Sequence, residues 1–193
     1  MPSPADAVLN FQVGLAAGLS LLTLTSYRRV SPAWLHRLLM AGALFVFSRY
    51  VAMAVCATTS SPEGPRILRH VGWLALLLGF ILPSVFAIDQ LLRHPAMTPK
   101  KLLVRSSFPF LVAWSTATPF QWLRWIYQGM FVLAFVVICA LLMRKIPSQP
   151  IRLALLGLAV GQSCLAFGGL YGEMAMLLAL WYAYETAADA VFA

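Results

Sequence analysis

Between His70 and Asp89 lie eighteen residues without one charged side chain. Arg66 and Arg69 stand before this stretch; Arg93, His94, Lys100 and Lys101 stand after it. A helix rises about 1.5 Å per residue, so about twenty apolar residues match the hydrocarbon thickness of a bilayer. Lipid offers no hydrogen bonds, so a chain immersed in it must satisfy every backbone N–H and C=O internally. The run therefore predicts a membrane-spanning helix over about 68–92, anchored by polar residues at both ends.

The rest of the chain repeats this plan. Ala7 to Tyr27 is uncharged and is closed by Arg28 and Arg29, which predicts a first span over 7–27. Gly14 and Gly18 form a G-x-x-x-G that permits close approach of another helix. Ser31-Pro32 reads as an N-cap followed by the first helical residue. It opens a second span over 33–57, interrupted by Arg49 and ended by the turn TTSSPEGP. Pro83 predicts a kink in the third span, because proline removes a backbone hydrogen bond. A fourth span over 102–118 contains Pro109 and is expected to be bent or partly re-entrant. A fifth, 121–143, starts with Trp122, Trp125 and Tyr127, the pattern of an interfacial aromatic belt.

The last part reads in two ways. As one helix, Gly157, Gly161, Cys164, Gly168 and Gly172 share a small-residue face. Such a helix would run about 55 Å, against a bilayer core of about 30 Å. A break at Gly168-Gly169 instead gives two spans, 151–168 and 170–188. The expected fold is thus all-α: a polytopic integral membrane helical bundle of six or seven transmembrane helices in a single domain, 1–193.

Composition agrees. The chain is 61% hydrophobic and 10% charged, whereas a soluble domain carries about 25% charged residues. The net charge of +8 sits in short loops between apolar runs. A solvated basic face for nucleic acid is therefore not expected; the cations read as anchors that meet anionic headgroups. Arg28, Arg29, Arg37, Arg93, Lys100, Lys101, Arg105, Arg144, Lys145 and Arg152 fall on one side of the alternation; Arg66, Arg69 and Arg124 fall on the other. The positive-inside rule makes the first side cytoplasmic, puts the N-terminus outside and points to an inner-type membrane. MPSPADAVLNF lacks the positive n-region of a signal peptide. Cys56, Cys139 and Cys164 lie singly in apolar segments and read as small buried side chains.

Ionisable groups at membrane depth are costly, which makes each one a candidate. Arg49 lies about 22 Å along its helix from the cytoplasmic end. That brings it within reach of Glu173, and the pair reads as a packing device or as a ligand site. Asp89 precedes Arg93 by four residues, the favourable order for a local ion pair. His36, His70 and His94 lie at span ends, where anchoring is the ordinary role. His36 and His94 share one side, so a haem with two axial histidines, or a chlorophyll-type pigment on one of them, are the cofactor readings. Bound lipid is the third. Gln121, Gln128, Gln162, Ser163, Thr116 and Ser115 are expected to bond between helices.

No H-E-x-x-H, G-x-S-x-G or P-loop occurs, and no carboxylates are paired at useful spacing on one helix. The leading expectation is a non-catalytic accessory or structural subunit that packs against other membrane proteins, in an energy-converting or assembly complex. The alternatives are a small-molecule transporter or membrane sensor module using Arg49 and Glu173, and a membrane-embedded enzyme.

Overall fold

The computed structural model describes residues 4–30, 33–59, 72–92, 99–116, 120–167 and 169–192. Among them the secondary structure is helical throughout: α1 Pro4–Ser26, α2 Ala33–Thr59, α3 Gly72–Leu91, α4 Pro99–Ser115, α5 Gln121–Lys145, α6 Gln149–Phe167 and α7 Gly169–Phe192. Five of these, α1, α2, α3, α5 and α6, are long and apolar enough to cross a membrane. Two fall short of that standard. α4 has 17 residues, and α7 interrupts its apolar run with Glu173, Glu185 and Asp189.

Helices α1 to α6 pack each against the next, and α7 lies against α1, α3 and α6. This placement explains how α7 carries polar groups: its buried residues, Met176, Leu180, Ala183 and Tyr184 among them, face other helices. α1 and α7 run parallel. Gln12 bonds to Tyr171 near one end, and the Tyr27 and Tyr184 rings meet edge to face at 4.7 Å near the other.

The chain breaks where the local chemistry requires it. Gly169 has φ +54°, a left-handed conformation that side chains other than glycine's disfavour. The last segment is therefore two antiparallel helices and not one, and the glycines meet across the hairpin. A Cβ on Gly172 would lie 2.0 Å from the Cys164 carbonyl oxygen, and one on Gly161 would lie 3.0 Å from the Met176 Sδ. At Gly14 and Gly18, in contrast, a Cβ would meet nothing within 4 Å, so the G-x-x-x-G of α1 makes no close approach among the described residues.

Pro83 is accommodated by a local change of helix type. Leu77–Ile81 forms a π turn, and α-helix resumes at Leu82 with the proline in its first turn. The wider turn lets the helix absorb a residue that has no N–H to donate. It also brings α3 against α2, where a Cβ on Gly42 would lie 2.3 Å from the Leu78 carbonyl oxygen. α4 continues as helix through Pro109. Helix ends otherwise fall within four residues of the segments expected as spans; the expected residues 68–71, 117–118 and 168 lie outside the described residues.

Candidate functional site

Two helices, α2 and α7, meet at one carboxylate. Arg49 of α2 donates from Nη1 to both oxygens of Glu173 of α7, each at 2.9 Å. The neighbouring Tyr50 donates its hydroxyl to Glu173 Oε2 at 2.6 Å. The Arg49 guanidinium also lies 5.7 Å from the Tyr50 ring centroid, within cation–π range. Tyr50 is fully buried, while the Arg49 and Glu173 side chains keep 18% and 16% exposure. Two residues along α7, Tyr171 accepts from Gln12 Nε2 of α1. The cluster thus ties α2 to α7, and the Gln12–Tyr171 bond ties α1 to the same end of α7.

Sequence spacing explains why these groups meet. Arg49 lies deep in a helix that is otherwise free of charge from Leu38 to Thr59, and Glu173 is one turn past the break at Gly169. Each charge has few alternatives in its surroundings. Tyr50 was not singled out from the sequence; adjacency to an intramembrane arginine was the available signal.

At the other end the structure pairs Asp89 of α3 with Arg105 of α4. Arg93, the local partner expected for Asp89, lies outside the described residues. His70 and His94 lie outside them too. His36 is described: its Nδ1 lies 2.7 Å from the Tyr27 carbonyl oxygen, which accepts, so Nδ1 carries the proton. The imidazole closes the 3-10 turn Tyr27–Arg29 against the start of α2. The described residues therefore bring no second histidine to His36, and no group of three or more His, Cys, Asp or Glu side chains forms among them.

The polar residues expected to bond between helices divide in two. Gln162 of α6 accepts from Ser84 of α3 at 3.5 Å. Ser163, Ser115 and Thr116 instead donate to carbonyls three or four residues back in their own chain segment. A hydroxyl in an apolar helix finds its nearest acceptor in the preceding turn. Gln128 accepts from Arg124, one turn earlier on α5, at 3.4 Å. Every buried side-chain nitrogen or oxygen among the described residues has a hydrogen-bond partner.

Comparison with protein-family models, with curated proteins and with solved structures found no match.

Proposed function

We propose that this chain is a multi-pass integral membrane protein whose polar groups at membrane depth serve packing, and that it works as a non-catalytic accessory or structural subunit of a larger membrane complex. The observation that carries the reading is the Arg49–Tyr50–Glu173 cluster. Its charges neutralise one another across two helices. Charge pairs of this kind fix helix register in a solvent that cannot screen them. The apolar helices supply the second support. α5 leaves Trp122, Trp125, Ile126, Met130, Leu133 and Leu141 exposed, a surface suited to lipid and to neighbouring helices.

In this reading α4 and α7 also cross, giving seven spans with the N-terminus outside. The exposed cations Arg28, Arg37, Lys100, Arg144, Lys145 and Arg152 then meet the cytoplasmic face of an inner-type membrane. Thiol labelling of single cysteines, in a chain with Cys56, Cys139 and Cys164 replaced by Ala, tests the orientation. Lys100→Cys is expected to label from the cytoplasmic side and Phe120→Cys from the outside; the reverse pattern overturns it. Extraction in mild detergent tests the subunit role. A stoichiometric membrane partner is expected, and a monodisperse, partner-free protein overturns that part.

A second reading, a transporter or sensor module, is favoured by the residual exposure of Arg49 and Glu173. It requires that a ligand compete for one member of the pair. Arg49→Ala and Glu173→Ala variants that fold but lose transport or signalling support it; folded variants with wild-type behaviour remove it.

A further inference from the structure

The ion pair at the opposite end is built against a hollow. Val85 of α3, Phe108 and Pro109 of α4, and Phe131, Ala134 and Phe135 of α5 wall a cavity of about 390 Å³. That size falls within the range of ligand sites, about 300–1,000 Å³. The walls are apolar, and among the described residues the charged groups lining the cavity are Asp89 and Arg105. The two are exposed unequally: the Arg105 side chain keeps 39% exposure and that of Asp89 12%. Ala134 and Ile138 are also exposed, so the hollow opens on the outer surface of the bundle between α4 and α5.

Its position along the helices follows from the rise per residue. Phe131 lies about 21 Å, and Ile138 about 10 Å, from Lys145 at the end of α5. A slot with apolar walls and one charged end, running from mid-helix towards a basic rim, matches an amphiphile lying parallel to the helices. Asp89 occupies one part of the Arg105 guanidinium, which presents five N–H donors in a planar fork. The remaining donors suit a phosphate, and exposed Lys100, Arg144 and Lys145 add positive charge at the same end.

We propose that this cavity seats one acyl chain of an anionic phospholipid, with Arg105 contacting the headgroup phosphate. Charge complementarity selects the anionic headgroup, and the aromatic and aliphatic walls take the chain. The site rests on the membrane reading given above, and the test separates the two.

The full chain is reconstituted into vesicles of equal phosphatidylglycerol and phosphatidylcholine, floated, extracted in mild detergent, and weighed intact by native mass spectrometry. Wild type is expected to retain one phosphatidylglycerol, with about tenfold preference over phosphatidylcholine from the charge-assisted contact. Arg105→Ala is expected to bring that preference within about twofold, and Arg105→Lys to keep most of it, since the charge remains. Ala134→Trp fills the slot and is expected to lower retention of either lipid at least about fivefold, through steric exclusion. If that variant does not fold, Ile138→Trp replaces it. Retention unchanged by Arg105→Ala or by the tryptophan variant overturns the proposal, as does equal retention of both lipids by wild type. A chain that does not float with the vesicles overturns the membrane reading itself; one that floats without selective retention overturns the cavity assignment alone.

Discussion

Two ion pairs stand at opposite ends of this bundle, and the contrast between them is instructive. Glu173 is held by both a guanidinium and a phenol, from a helix distant in sequence, with both partners largely enclosed. Among the described residues Asp89 has one charged partner, Arg105, whose side chain is more than twice as exposed as that of Arg49. The first arrangement saturates a carboxylate and locks α2 onto α7. The second, among the described residues, engages one guanidinium nitrogen beside a hollow. Enclosure makes a charge pair structural because each member depends on the other; exposure leaves it available for exchange.

The largest expected effect follows from the enclosed pair. Glu173→Ala leaves the Arg49 guanidinium and the Tyr50 hydroxyl without their acceptor. Removing one member of a buried pair costs about 3–5 kcal/mol, and the residual exposure of both partners puts the expected loss at about 3 kcal/mol. Denaturant titration in detergent measures it. The combined variant Arg49→Met, Tyr50→Phe, Glu173→Leu removes every member together and is expected to regain most of that loss. If the combined variant is as unstable as Glu173→Ala, the charges do more than satisfy one another, and the contrast with Asp89–Arg105 weakens.

Next in size is the hairpin that presents Glu173. Gly172→Ala places a methyl against the Cys164 carbonyl, where backbone has to move. Overpacking of this kind costs about 1–3 kcal/mol, and the upper end is expected here because the clashing atom belongs to a helix backbone. Gly14→Ala on α1 meets open space, and alanine's higher helix propensity is expected to raise stability by up to about 1 kcal/mol. Opposite signs for two glycine-to-alanine changes, read in one thermal-unfolding series, check that close approach and not composition distinguishes them.

These glycines also show what the sequence could convey. The uncharged run over 71–88 and its repeats made the helices legible, since bilayer thickness and helix rise leave little freedom. The break at Gly168-Gly169 was legible as a length argument, and Arg49 with Glu173 as two costly charges in need of each other. Which glycines are crowded was not. Gly14 and Gly18 carry the more familiar spacing, yet Gly42, Gly79 and Gly172 make the close contacts. Crowding depends on which face meets a neighbour, and an all-apolar helix has no amphipathic stripe to reveal its face. For the same reason sequence makes Arg105 a topology anchor and Asp89 the partner of Arg93: local spacing shows i,i+4 neighbours, whereas α4 docking on α3 is a tertiary fact. The π turn before Pro83 was likewise invisible, because a kink and a π turn are both answers to the same missing N–H.

A smaller effect is expected where the two regions connect through α7. Tyr184 is buried, packs on Tyr27 and donates its hydroxyl to the Pro83 carbonyl oxygen at 2.9 Å. That carbonyl lies just past the π turn, so the bond ties α7 to the irregular part of α3. Tyr184→Phe keeps the ring contact and deletes the bond, for an expected loss of about 1 kcal/mol. Tyr184→Leu, which also removes the edge-to-face pair, is expected to lose about 1 kcal/mol more. Equal losses for the two variants assign the whole effect to the hydroxyl.

The smallest effect belongs to the exposed pair. Asp89→Asn removes a charge but leaves an amide oxygen that still accepts from Arg105, and the arginine can turn its head toward water or headgroups. Exposed pairs contribute about 0–1 kcal/mol, so a loss below about 0.5 kcal/mol is expected. Salt gives a sharper reading than the size alone. Around an exposed pair, ions at about 0.15 M screen beyond about 8 Å, so the difference between wild type and Asp89→Asn is expected to shrink as ionic strength rises. The difference between wild type and Glu173→Ala, set by enclosed groups, is expected to stay constant over the same range. Should Asp89→Asn lose as much as Glu173→Ala and ignore salt, both pairs would be structural clamps, and Arg105 would have no donors to spare for anything outside the chain.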